Sequence, residues 1–163
     1  PWIFTVIALG SLYLFTKDIP SYGDIDEFRA INLYNFCFSL VFTAPFTVIA
    51  TRYIADCIFV EDLKPATGMF LGVLICIFAV NTPIVIPFYL FLTNLTVPLK
   101  ILSCIQFYLI SVMWVCTVFI STLKHYKGIT IAFLLGMALA VFAAMELGQI
   151  YGTFGLLLGF TLG

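Results

Sequence analysis

Residues 65–99, PATGMFLGVLICIFAVNTPIVIPFYLFLTNLTVPL, contain no Asp, Glu, Lys or Arg. An uncharged apolar stretch well beyond the roughly 18 residues that define a spanning helix belongs in a bilayer. Residues 30–51 and 101–123 are likewise free of charge. Over the 163-residue chain, 63% of residues are hydrophobic, 9% are charged and the mean hydropathy is +1.18. A soluble domain carries roughly 25% charge, so composition excludes one. Unpaired strand edges cannot face lipid, and the alternating pattern of barrel strands is missing, so the spans are expected to be helices.

Six segments are predicted, at about 1–16, 31–55, 67–93, 99–123, 129–147 and 150–163. They make an all-α polytopic transmembrane bundle and a single transmembrane domain over residues 1–163. The chain opens in mid-pattern with Pro1-Trp2-Ile3-Phe4 and closes inside a glycine-rich apolar run, so it is expected to be a fragment cut at both ends within membrane segments. The hydrophilic connections are Lys17–Ala30, Arg52–Ala66 and Lys124–Gly128, with short turns at Asn94–Pro98 and Gly148–Gly152. Alternate connections lie on opposite sides. Arg52, Lys64, Lys124 and Lys127 on one side outnumber Lys17, Arg29 and Lys100 on the other, which places the second and fourth connections in the cytoplasm.

A net charge of -1 offers no field for nucleic acid, so none is expected as a partner. The five cysteines are scattered through apolar runs without a CxxC pair and read as small buried hydrophobes, with no metal site or cofactor expected. His125 sits in a basic turn, Lys124-His125-Tyr126-Lys127, where anchoring explains it. Nothing resembles a P-loop, GxSxG or HExxH motif, and the chain is not expected to be an enzyme.

The polar atoms that remain are patterned. Asn32, Asn35, Ser39, Thr43, Thr47 and Thr51 recur at steps of three and four on one face of segment two. Lys100, Ser103, Gln106, Ser111, Thr117 and Ser121 form a second stripe on segment four. Two readings stand: the stripes line a hydrated path for a hydrophilic solute, or they bond helices to one another. Asn81 is the notable polar group of segment three. Pro45, Pro83 and Pro87 lie inside apolar runs, remove backbone donors and predict kinks that serve packing or flexing. In segments five and six, Ala132, Gly136, Ala140, Ala144 and Gly148, then Gly152, Gly155, Gly159 and Gly163, are spaced for close packing of the two helices against each other.

Glu146 is the one acid flanked on both sides by span-like sequence. A charge at mid-helix costs about 2.5–3.5 kcal/mol, so Glu146 either reaches the headgroups or takes part in proton coupling or substrate contact. Arg52 and Asp56, four apart, are expected to form an ion pair on one face. Asp18, Asp24, Asp26 and Glu27 read as a solvated acidic connection.

Pro1-Trp2, Phe42-Thr43-Ala44-Pro45 followed by Thr51-Arg52-Tyr53-Ile54-Ala55-Asp56, and Gly152-Thr153-Phe154-Gly155 leading to Gly159-Phe160 together resemble the Pel exopolysaccharide exporters, the PelG-like family of the multidrug-extruder and oligosaccharide-flippase superfamily. The resemblance runs along the whole chain and implies the first lobe of a two-lobed, twelve-helix transporter in the bacterial inner membrane. It further implies export of an amino-sugar polysaccharide, with a cytoplasmic glycosyltransferase and a membrane-anchored subunit as partners. It supplies no catalytic residue. The residues expected along the substrate pathway, beside membrane lipid, are Asn32, Asn35, Ser39, Thr43, Asn81 and Gln106, with Tyr34, Phe42, Tyr108 and Trp114 available to stack on sugar. The rivals are a cation-coupled drug or lipid-linked-sugar flippase, a membrane-embedded enzyme and a partner-scaffolding subunit.

Overall fold

The computed structural model describes residues 2–16, 24–61, 64–122 and 126–163. Among these there are five helices: α1 (Trp2–Thr16), α2 (Ile25–Phe59), α3 (Lys64–Pro87), α4 (Val97–Thr122) and α5 (Tyr126–Leu162). A π-helical turn, Phe88–Leu92, continues α3. Four of these elements are long and apolar enough to cross a membrane. The chain is therefore a helical membrane bundle, and Lys17, Lys124 and His125 of the expected connections lie outside the described residues.

Five helices replace the expected six because no hydrophilic link separates segments five and six. Helical residues abut on both sides of one glycine, Gly152, whose φ of 61° and ψ of -138° suit a residue without a Cβ. There α5 folds back on itself. A methyl group on Gly155 would strike the Leu147 carbonyl, one on Gly159 the backbone of Ala143 and Ala144, and one on Gly163 the backbone of Ala140. Gly136 completes the series, its Cβ position lying 3.3 Å from the Gly163 carbonyl oxygen. The two arms are thus antiparallel with backbones in contact, as the small-residue spacing predicts.

α2 starts earlier than the sequence pattern suggests. Asp24 accepts the Glu27 backbone N–H at 3.0 Å, so it caps the helix, and Asp26 and Glu27 occupy the first turn where the helix dipole favours acids. At its other end α2 stops at Phe59. Glu61 follows with φ 58°, and its N–H bonds back to the Ile58 carbonyl at 3.2 Å. α2 runs unbroken through Pro45, and α3 through Pro83. The π turn comes directly after Pro87, and such turns help to re-satisfy carbonyls that a proline leaves without a donor.

The chain divides into two compact units. The first comprises Pro1–Tyr34, Leu95–Ser103 and Lys127–Gly163. In it α1 buries Thr5, Ala8, Leu12 and Thr16, one face at three- and four-residue steps. Phe28 meets Phe160 edge-on at 5.9 Å, Arg29 lies 4.4 Å over the Tyr13 ring, and the Asp24 N–H donates to the Thr153 hydroxyl at 2.8 Å. The second unit comprises Asn35–Asn94 and Cys104–Tyr126. Its apolar centre is Ala50, Val73, Ile77 and Val115, flanked by Phe46, Phe70 and Phe119. In both units many Leu, Ile and Phe side chains face outward while Asn32, Asn35, Ser39, Asn81 and Ser103 are hidden, which is the distribution a lipid solvent permits and water does not.

Candidate functional site

Most of the buried polar groups among the described residues lie in the second unit. Asn35, Ser39 and Thr43 on α2, Asn81 on α3, and Gln106 and Ser111 on α4 are each at most 2% exposed. Their helical faces turn inward because an amide or hydroxyl in hydrocarbon must find a partner or bear the cost of desolvation. Asn35 donates Nδ2–H to Gln106 Oε1 at 2.8 Å, and its Oδ1 accepts the Tyr89 hydroxyl. The Trp114 indole N–H donates to Ser39 Oγ at 3.2 Å. Thr82 and Tyr108 share a hydroxyl–hydroxyl bond of 2.9 Å, and Tyr108 stacks on Phe78 at 5.0 Å. These contacts hold α2, α3 and α4 together through polar atoms.

The hydroxyls have a second role within their own helices. Ser39 donates to the Phe36 carbonyl at 3.1 Å, Thr43 to Ser39 at 2.7 Å and Thr47 to Ala44 at 2.9 Å. Ser111 donates likewise to Phe107 at 2.9 Å. Their protons are committed while oxygen lone pairs remain. Asn81 differs from all of them: neither its Nδ2 nor its Oδ1 has a hydrogen-bond partner.

Beside the Asn35–Tyr89 bond lies a cavity of about 80 Å³. Phe38, Phe42, Phe88 and Phe107 wall it together with Ile84 and Val85, and Asn35 and Tyr89 contribute its polar edge. Small-molecule sites usually exceed roughly 300 Å³, so in this packing the cavity admits an apolar group and not a sugar ring.

The remaining expected site residues are dispersed. Asn32 belongs to the first unit, wholly buried, with Nδ2 donating to the Phe28 carbonyl at 2.9 Å. Arg52 and Asp56 are exposed on α2, and no ion pair between them is found among the described residues. The ion pair found among the described residues joins Arg29 to Asp26 at 3.5 Å. Exposed pairs of this kind are worth little, so nothing compels the Arg52 and Asp56 side chains to close. Glu146 is exposed on α5, six residues before the Gly152 break. Tyr34 is exposed and lies in the first unit.

Tyr89 and Phe107 are buried, and Phe38 and Phe88 are more exposed walls of the same cavity; the polar stripes revealed none of the four. Tyr89 had a signal: Val73, Ile77, Asn81, Val85 and Tyr89 are buried at four-residue steps along α3 and its π turn, which places Tyr89 on the face of Asn81.

A family model described as "PelG: Putative exopolysaccharide Exporter (EPS-E)" matches residues 1–163. The chain belongs to the PelG family. No curated protein and no solved structure gives a significant match. A multi-pass array of apolar helices accords with the family's description as an exporter, which is not that of an enzyme.

Proposed function

We propose that this chain is a lobe of a polysaccharide exporter in the bacterial inner membrane, passing a neutral or partly cationic amino-sugar polymer outward. The whole-chain PelG match carries the reading. The amide- and hydroxyl-bearing interior supports it, because a polymer of hydroxyl groups can exchange bonds with Asn32, Asn35, Ser39, Thr43, Asn81 and Gln106 when the helices part. Many weak bonds suit a moving polymer, since a single strong site would arrest it. Pro45, Pro83 and Pro87 are the flexing points of this proposal, and the π turn after Pro87 is the kind of helix irregularity often found at functional sites. A cytoplasmic glycosyltransferase would deliver the chain, and a membrane-anchored subunit would hold the assembly.

The test is cysteine accessibility in a background lacking the five native cysteines. Cysteines placed at Ser39, Thr43 and Ser103 are expected to react with a membrane-impermeant maleimide while polymer is being secreted and to be protected when synthesis is blocked. Uniform protection in both states would leave the stripes as interhelical bonding alone. A second reading, cation-coupled flipping of a drug or lipid-linked sugar, depends on Glu146. Secretion that persists in Glu146→Gln removes it.

A further inference from the structure

The cavity beside the Asn35–Tyr89 bond has a buried floor and an exposed rim. Val85 and Phe107, with Asn35 and Tyr89, are buried, whereas Phe38 and Ile84 are 42% and 44% exposed. Phe42 and Phe88 are half-buried between them. The Phe38 ring lies 6.3 Å from that of Phe42 and 6.2 Å from that of Phe88, so aromatic rings line the opening on both its α2 and its α3 side. Exposed side chains within a span face lipid, and the cavity therefore opens to hydrocarbon.

Its depth, chemistry and size narrow what can enter. Phe38 and Phe42 fall on either side of the centre of the uncharged run 30–51, and Phe107 lies five residues from the centre of the run 101–123. At about 1.5 Å per residue these side chains stand within about 8 Å of the middle of a core about 30 Å thick, where the acyl chains of the two leaflets end. The two polar residues of the lining bond one another, and Asn35 also bonds Gln106, so a water would not find there the two to four partners that buried waters take. An apolar cavity of about 150 Å³ holds a benzene molecule, and one of about 80 Å³ has room for about three carbons. A closed floor takes the end of a chain and not its middle. Left empty, the lining would forfeit its dispersion contacts on that side.

We propose that this cavity is a lipid site that takes the terminal carbons of one phospholipid acyl chain, passing between Phe38 and Ile84 to rest on Val85 and Phe107. The guest completes the packing of α2, α3 and α4 beside the Asn35–Tyr89 bond. The site stands whether or not the protein moves sugar.

Magic-angle-spinning NMR of the protein in phospholipid bilayers tests the site, with carbon-13 placed at the terminal methyl of the acyl chains and with labelled Val and Phe in the protein. Magnetisation is expected to pass from the terminal methyl to Val85 and Phe107 several-fold more strongly than to Val115, which is 0% exposed in the core of the same unit. Moving the lipid label to the carbon beside the carboxyl group is expected to abolish the transfer to Val85 and Phe107. No transfer to these two residues, transfer equal to that at Val115, or transfer as strong from the carboxyl end overturns the proposal. So does a contact of Val85 or Phe107 with a differently labelled second copy of the chain, which would make the occupant a protein side chain.

Discussion

Asn35 and Gln106 are hydrogen-bonded at 2.8 Å although 71 residues separate them in the chain. Interhelical hydrogen bonds in membranes average about 0.6 kcal/mol, but removing one partner leaves the other amide stranded at about 1–3 kcal/mol. Asn35→Leu and Gln106→Leu are each expected to destabilise the protein by about 1–3 kcal/mol, while the double variant loses clearly less than the sum. Denaturation in detergent micelles measures all three. Additive losses would show that the two side chains do not rely on each other.

The folded-back α5 makes a contrast among glycines. Gly159→Ala drives a methyl into the backbone of Ala143 and Ala144, whereas Gly10 and Gly72 have nothing within 4 Å of an added Cβ. Gly159→Ala should cost about 2 kcal/mol or more through forced separation of the arms. Gly10→Ala and Gly72→Ala should be neutral or stabilising by about 0.5–1 kcal/mol. Thermal unfolding of the detergent-solubilised protein checks the order, and equal shifts at positions 159 and 72 would contradict the close approach.

Loss of the α2 cap should be local. Asp24→Ala removes the acceptor for the Glu27 N–H and is expected to cost about 0.5–2 kcal/mol. Hydrogen exchange would report it as faster exchange at Glu27 and Phe28, with the centre of α3 unchanged. An unaltered rate at Glu27 would mean that the cap contributes nothing.

At the far end of α2, Glu61 holds a φ of 58°, which costs a residue with a Cβ about 1–2 kcal/mol. Glu61→Gly relieves that cost but adds freedom to the unfolded chain, so a net gain of up to about 1 kcal/mol is expected. A lowered unfolding temperature would show that the Glu61 side chain contributes more than its backbone costs.

The spans were readable from sequence because lipid selects on composition: residues 31–55 fall within α2, residues 67–92 of the third segment within α3 with its π turn, and residues 99–122 of the fourth within α4. The start of α2 was not, although Asp24-Ile25-Asp26-Glu27 has the acid-then-Glu spacing of a capping box. Charge suggested a loop, and capping made it a helix. Periodicity placed Asn35, Ser39 and Thr43 on one face, but a period carries no information about the register between helices. The partners Gln106, Tyr89 and Trp114 depend on that register. Arg52 and Asp56 show the opposite limit, since spacing brings two side chains within reach without making their contact worthwhile.

The reversal at Gly152 bears on biogenesis. Its second arm, ending at Leu162, offers the first arm a glycine face that would be a poor surface for lipid contact, so neither arm is well packed by itself. Each arm is fully packed only when the other lies beside it, so a substitution that delays or displaces either arm is felt by both.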